Sequence, residues 1–129
     1  MTTALKGQTR TKKGAATSHL APILQKIVKL IDEKKGTNTI IFAMDDSPLL
    51  VDFIIITGAD NPRKLRAIAQ NVKKGLSPQE PFAIEGTNST AWIVMDYVDF
   101  LVHIFSDEAR SFYDLEGLFG EPLWRSEED

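Results

Sequence analysis

The sequence contains no cysteine among its 129 residues. This absence excludes disulfide bonds, thiolate nucleophiles and cysteine-based metal sites, and it is typical of proteins from reducing compartments. No run approaches about eighteen consecutive apolar residues, so no membrane-spanning helix is expected. The first ten residues, MTTALKGQTR, lack the apolar centre of a secretory signal. Together these absences predict a cytoplasmic protein.

Motifs that carry catalysis or bind metals are also scarce. Ser47 has no surrounding Gly-x-Ser-x-Gly motif, so no hydrolase is indicated. The segment Thr57-Gly58-Ala59 has the location of a phosphate-binding loop but only one glycine. The pair Asp45-Asp46 could bind Mg²⁺, yet adjacent strand residues point to opposite faces. Because the sequence also lacks a dense histidine cluster, we predict no catalytic residue, no metal site and no cofactor.

The formal net charge of −3 is unevenly distributed. Residues 1–19 contain four basic residues and no acid, so the rest of the chain carries −7. Such an acidic body fits a basic protein surface better than a nucleic acid. We predict a disordered basic tail over residues 1–19, with an organellar transit peptide or an RNA-contacting arm as alternatives. Residues 126–129 are predicted to form an acidic tail.

Apolar periodicity predicts the order helix, two strands, helix, three strands, helix. This order is typical of an α/β sandwich, with a mixed five-stranded sheet flanked by helices in one domain over residues 20–125. Asn61-Pro62 and Ser106 are helix start signals. The helix after Ser106 is predicted to bury a stripe made of Phe112, Leu115 and Leu118. Trp124 could be an exposed anchor, although such a residue more often folds back onto the body.

The segment from Ala91 to Phe105, AWIVMDYVDFLVHIF, predicts a β-hairpin. If its loop is Tyr97-Val98, Asp96 lies opposite Asp99. Period-two alternation then places six residues on one face, and the other face is uniformly apolar. The six are Trp92, Val94, Asp96, Asp99, Leu101 and His103.

Two interpretations of the two acids in this hairpin stay open. Directly opposed like charges cost up to about 1 kcal/mol, so both carboxylates could serve a cationic partner. Alternatively, the two acids only keep an exposed turn hydrated. Trp92 and Tyr97 are residue types common at interfaces, which favours the first interpretation. His103 is alone in an apolar strand and is more typical of a packing residue than of a metal ligand.

Three motifs follow one another over roughly residues 22–120. The first is Val51-Asp52-Phe53-Ile54-Ile55-Ile56-Thr57-Gly58, and Glu85-Gly86 also fits. The second is Trp92-Ile93-Val94-Met95-Asp96-Tyr97-Val98-Asp99, continuing to Val102-His103-Ile104-Phe105. The third is the helix from Glu108 to Glu116. Together these motifs resemble the Iojap family of ribosomal silencing factors. Gly is common in the family where this chain has Val98, and Trp is frequent where it has Phe119.

The resemblance implies a nucleotidyltransferase-like fold without that activity. The sequence agrees, because those enzymes hold two metal ions with an Asp-x-Asp pair and none occurs here. The resemblance also implies binding to ribosomal protein fourteen of the large subunit. It further implies a block of subunit joining and repression of translation when nutrients fall. The alternatives are a large-subunit assembly factor that uses the same surface, and a degenerate nucleotidyltransferase.

The resemblance assigns partner binding to six residues of this chain: Trp92, Asp96, Tyr97, Asp99, His103 and Asp52. The expected partner is the large ribosomal subunit, with no membrane and no sequence-specific nucleic acid. A homodimer is a further expectation.

Overall fold

A computed structural model of the chain describes residues 16–45 and 51–126. This part of the chain forms helices and strands in the predicted alternating order, and one strand is added at the end. In sequence, the elements are α1 Pro22–Glu33, β1 Thr37–Ala43, β2 Phe53–Ala59, α2 Pro62–Leu76, β3 Ala83–Glu85, β4 Trp92–Asp96, β5 Phe100–Ser106, α3 Asp107–Tyr113, a 3-10 helix Leu115–Leu118 and β6 Trp124–Arg125.

The strands form one mixed sheet in the order β3-β4-β5-β2-β1-β6. The two central strands, β2 and β5, are parallel, and every other neighbouring pair is antiparallel. The predicted mixed sheet is confirmed, with six strands instead of five. The additional strand, β6, has two residues, which is too short for a periodic signal. Its Trp124 is 7% exposed, so it folds back onto the body as the commoner interpretation holds.

Helices α1 and α2 cover one face of the sheet, where the larger hydrophobic core lies. The opposite face carries a smaller core of Ile40, Phe42, Ile54, Ile56 and Phe105, against which α3 packs Ala109. The predicted α/β sandwich is therefore confirmed. No helix within the described ranges combines the length and the apolar character needed to cross a membrane.

The helix start signals act as predicted, but the third helix ends early. Asn61 accepts a hydrogen bond from the Lys64 backbone N–H, and Ser106 caps α3 through the Ala109 N–H. At Asp114 the backbone adopts left-handed angles, φ 45° and ψ 49°, which ends α3 and rotates the following residues off its stripe. The predicted buried stripe is wrong at its two ends. Of its members only Leu115 is partly buried, whereas Phe112 is 81% and Leu118 is 74% exposed.

The hairpin forms, but its predicted register is wrong by two residues. Trp92 pairs with Phe105 and Asp96 pairs with Leu101, so the loop is Val98-Asp99 and the two acids do not face each other. This register places Tyr97 across from Phe100, where the rings stack at 4.9 Å and both residues are buried. A shift of two residues preserves the side-chain alternation, so the strand residues keep their predicted faces.

The predicted tails lie mostly outside the described residues. Residues 1–15 and 127–129 are not described, and neither is Asp46 of the Mg²⁺ alternative or Ser47. Within the predicted basic tail, residues 16–19 form a turn before α1, and the Ala16 carbonyl accepts a hydrogen bond from the Trp124 indole. Ser126 pairs with Thr39 through its backbone N–H. The predicted domain boundaries stay predictions.

Candidate functional site

Four carboxylates lie at the end of the sheet where the hairpin bends: Asp45, Asp52, Asp96 and Asp99. We call this group the acidic end. The strands themselves bring these residues together. The Asp52 N–H donates to the Asp99 carbonyl at 2.7 Å, and the Met44 N–H donates to the Asp52 carbonyl at 2.9 Å. Asp45, Asp52 and Asp99 are exposed, and Asp96 is partly buried. The sheet therefore gathers acids from three separate parts of the sequence.

The bend itself is tight and has an unusual backbone conformation. The Asp99 N–H donates to the Tyr97 carbonyl at 2.8 Å, which closes a three-residue γ-turn centred on Val98. Val98 has a φ of 75°. The Asp96 carboxylate accepts the Val98 N–H at 2.8 Å and so holds the turn from the preceding strand. Asp96 therefore has a local structural role in addition to its charge.

Replacing Val98 with glycine should raise the free energy of unfolding by about 1 kcal/mol. A β-branched residue at positive φ costs roughly 1–2 kcal/mol, and glycine removes this cost but loses about 0.5–1 kcal/mol of chain entropy. Val98 is 59% exposed, so little buried area is lost. Urea denaturation of the variant measures the difference. Val98→Ile keeps the branched Cβ and is the matched control; an equal gain in both variants would contradict the backbone explanation.

Tyr97 does not lie on the surface, which corrects the sequence-based expectation for this residue. Its side chain is 4% exposed and belongs to the core beneath α1 and α2. Burial, and to a lesser extent the nearby Glu80 carboxylate, raises the pKa of Tyr97 to about 12. Its hydroxyl has no hydrogen-bond partner within residues 16–45 and 51–126. Tyr97 therefore supports the bend from inside and cannot contact a partner directly.

Trp92 lies at the other end of the hairpin, in an aromatic cluster. Its ring stacks on Phe105 at 4.7 Å and contacts Tyr113 at 4.9 Å. Its indole N–H donates to Nδ1 of His103 at 3.1 Å. Trp92 and Asp96 are four positions apart on β4, a distance of roughly 13 Å along the strand. Apart from the buried Tyr97, the residues assigned by sequence therefore fall into an acidic end and a separate aromatic cluster.

His103 is a buried packing residue, as the commoner interpretation of its sequence context holds. It is 7% exposed, and burial lowers its pKa to about 4. Because Nδ1 accepts the Trp92 hydrogen bond, the neutral ring carries its proton on Nε2. His103 can therefore influence a partner only by positioning Trp92.

Two exposed apolar residues beside the acids were not predicted as site residues. Phe82 is 77% exposed, and its backbone N–H donates to the Asp96 carbonyl at 2.7 Å, which places it next to the bend. Val98 is 59% exposed at the tip. Apolar anchors surrounded by charged groups are typical of protein-binding surfaces. The sequence gives little indication that Phe82 is exposed. Phe82 directly precedes the three-residue strand β3, so its position predicts a buried strand residue.

The alternatives that involve metal or phosphate gain no support from the geometry. Within the described part of the chain, no three histidine, aspartate or glutamate side chains converge on a point that could hold a metal ion. Thr57 and Gly58 lie inside β2, paired with strands on both sides, and the Thr57 hydroxyl bonds that of Thr39 at 2.9 Å. The segment is therefore a strand and not a loop, which agrees with the weak phosphate-loop signal in the sequence.

Comparisons with known proteins agree with these features. A protein named ribosomal silencing factor RsfS from Halalkalibacterium halodurans is 32% identical over 101 residues, which cover 77% of this chain and 86% of the relative. A protein of the same name from Haemophilus influenzae is 31% identical over 102 residues, covering 75% of this chain and 97% of the relative. Both alignments span nearly all of the relative, so the similarity concerns the whole domain.

The fold is also shared. A crystal structure of a Chromobacterium violaceum protein superposes with a TM-score of 0.73 at 26% identity, covering 76% of this chain and 83% of that chain. The family model described as "Ribosomal silencing factor during starvation" matches residues 17–129. The chain therefore belongs to the family of ribosomal silencing factors.

Proposed function

We propose that this protein binds ribosomal protein fourteen of the large subunit through its acidic end, sterically blocks joining of the small subunit, and thereby represses translation when nutrients are limiting. The observation that carries the proposal is that four carboxylates and two exposed apolar residues, Phe82 and Val98, lie at the same end of the sheet. The site residues we assign are Asp52, Asp96 and Asp99, with Asp45, Phe82 and Val98 added. Trp92 and His103 have a supporting role.

Electrostatic attraction and steric exclusion both support this role. Ribosomal proteins are basic, and an acidic surface accelerates and orients association with a basic one. Phe82 and Val98 would supply the apolar contact that charges alone do not provide. A stable interface buries roughly 1,200–2,000 Å² in total, which one face of a domain this small can provide. Steric blocking requires no catalytic group, so we propose no enzymatic activity. The proposed location is the cytoplasm.

The direct test is a subunit-joining assay. Purified large subunits are incubated with the protein, small subunits are added, and joining is followed by light scattering. We expect the joined fraction to fall as the protein reaches saturation. Tight binding to the large subunit without any effect on joining would contradict the blocking mechanism and would favour the assembly-factor alternative, which precursor particles from depleted cells would then reveal.

Reversing the charge at the bend should weaken binding without unfolding the protein. In the Asp96→Lys, Asp99→Lys variant, two lysines would face a basic partner, so we expect at least a tenfold increase in the Kd for large subunits. Sedimentation binding measures the Kd, and circular dichroism checks the fold. The matched control is Asp60→Lys with Glu108→Lys, which makes the same charge change with two exposed acids at the opposite end of the sheet. Equal weakening in both variants would exclude the acidic end as the binding site.

A further inference from the structure

The segments that contain α1 and α2 and the rest of the described chain carry opposite net charge, which the net charge of the whole chain conceals. Residues 22–35 and 62–76, which include α1 and α2, contain nine basic and two acidic residues, a net charge of +7. The remaining described residues contain two basic and twelve acidic residues, a net charge of −10. The acidic composition of the body is thus an average over two very different surfaces.

The positive charges on the helices form a surface that we call the basic helix face. Its members are exposed and recur at helical spacing on the side turned away from the sheet: Lys26, Lys29, Arg63, Arg66, Lys73 and Lys74. Lys73 contacts Glu80 in an exposed ion pair at 3.2 Å. The other five make no ion pair with another described residue, so their charge is available to a partner.

The two helices lie directly against each other, so their basic stripes form one surface. Asn71 of α2 donates to the Leu30 carbonyl of α1 at 2.8 Å. Gly75 of α2 packs so closely on Leu30 that a Cβ there would lie 2.3 Å from the leucine Cδ2. Helices in contact have axes about 8–10 Å apart. The exposed basic residues of α1 and α2 therefore lie on one layer of two adjacent helices.

A cleft of about 600 Å³ adjoins this face between α1 and β6. Lys26 and Lys29 line one wall, and Thr17, Trp124 and Ser126 also line the cleft. Residues 1–15, which carry four further basic residues and no acid, join the domain here at Ala16. The basic segment is thus attached on the side of the molecule that is already positive.

The chemistry of this face fits a polyanion and not a protein groove or a lipid surface. All six large hydrophobic side chains that are exposed among the described residues lie elsewhere: Phe82, Val98, Phe112, Tyr113, Leu118 and Leu123. Protein interfaces need apolar anchors, and helices that bind membranes insert apolar side chains. A phosphate backbone needs only well-placed cations.

We propose that the basic helix face binds the phosphate backbone of RNA without reading the base sequence. The choice of RNA among polyanions follows from membership in the family of ribosomal silencing factors, since the ribosome presents RNA on its surface. RNA binding at this face would be separate from the protein contact at the acidic end and would not depend on it, because the two surfaces share no residue. Binding to a basic protein and binding to RNA would therefore be compatible in one molecule.

The test uses the full chain and a fluorescently labelled RNA hairpin, with binding followed by anisotropy at several salt concentrations. The variant Lys26→Gln, Arg63→Gln, Arg66→Gln removes three positive charges. We expect its Kd to rise at least tenfold at low salt. The slope of log K against log salt should become shallower by about 2, because three phosphate contacts are lost.

The matched control changes the net charge equally in the exposed turn between β3 and β4, with Thr87→Glu, Asn88→Asp and Thr90→Glu. Its Kd should stay within twofold of the original chain. No RNA binding by the original chain, an unchanged Kd in the helix variant, or equal weakening in both variants would overturn the proposal. So would capture by anionic vesicles, lost in the helix variant, in the absence of RNA binding.

Discussion

Replacing Gly86 with alanine is expected to lower the free energy of unfolding by about 3–4 kcal/mol. Gly86 has a φ of +87°, and a Cβ there would lie 2.2 Å from the Trp92 carbonyl oxygen. A positive φ costs a residue with a side chain roughly 1–2 kcal/mol, and forcing extra atoms into a packed position costs about 1–3 kcal/mol more. The clash is with backbone, so it can be relieved only if β4 shifts. Urea denaturation followed by circular dichroism measures the loss.

Gly120→Ala separates these two contributions. Gly120 has a similar φ of +74°, but nothing lies within 4 Å of the position of its Cβ. This variant should therefore lose only the conformational part, about 1–2 kcal/mol. Equal losses at both positions would show that the contact with β4 contributes nothing. A larger loss at Gly86, together with altered Trp92 fluorescence, would connect this glycine to the position of the aromatic cluster.

Acidification should destabilise the protein through His103. Burial lowers the pKa of His103 to about 4 from an unfolded value near 6.5. The unfolded state therefore binds a proton first as the pH falls, and stability present above pH 6.5 is lost between about pH 6.5 and pH 4. The difference corresponds to about 3 kcal/mol. Protonation also removes the Nδ1 acceptor for the Trp92 indole N–H. Denaturation curves at successive pH values measure the fall.

His103→Gln removes this titration and keeps a side-chain oxygen that can accept the Trp92 hydrogen bond. Its stability should change less than that of the original chain between pH 6.5 and pH 4, and the difference between the two profiles isolates the contribution of His103. His19→Gln, a substitution at the other, exposed histidine, is the matched control. If the profiles of the original chain and the His103 variant run parallel, burial of His103 does not govern the acid response.

The hairpin shows where prediction from sequence succeeds and where it fails. Alternation fixed which side of the sheet Trp92 and Asp96 occupy, because this depends only on residue parity. The register depended on whether Tyr97 or Asp99 would pair across the bend. The structure pairs Tyr97 with Phe100 because stacking and burial of two rings outweigh the unfavourable φ of Val98. The burial of Tyr97 depends on core residues of α1 and α2, which are distant from the hairpin in sequence.

The third helix also combines a feature that the sequence predicts, its start, with one that it does not, its end. Ser106 was recognisable as its cap, because the capping bond joins residues three apart. The end at Asp114 was not recognisable, since the apolar spacing continues through Leu118. Arg110 explains the difference: its guanidinium donates to the carbonyls of Thr37 and Asn38 and pairs with Glu116, which ties the end of α3 to β1. Those partners are distant in sequence, apart from Glu116.

The family, the mixed sheet between helices and the starts of α2 and α3 can be predicted from the amino-acid sequence, because these follow from motifs, periodicity and contacts between near neighbours. Which of the six assigned residues reach the surface depends instead on the packing of distant segments. Tyr97 and His103 are buried, whereas Asp52 joins Asp99 at an exposed edge. The same packing separates the positive helices from the acidic end. Both outcomes depend on pairing between distant strands and on which helix faces the sheet covers, and composition averages over such arrangements.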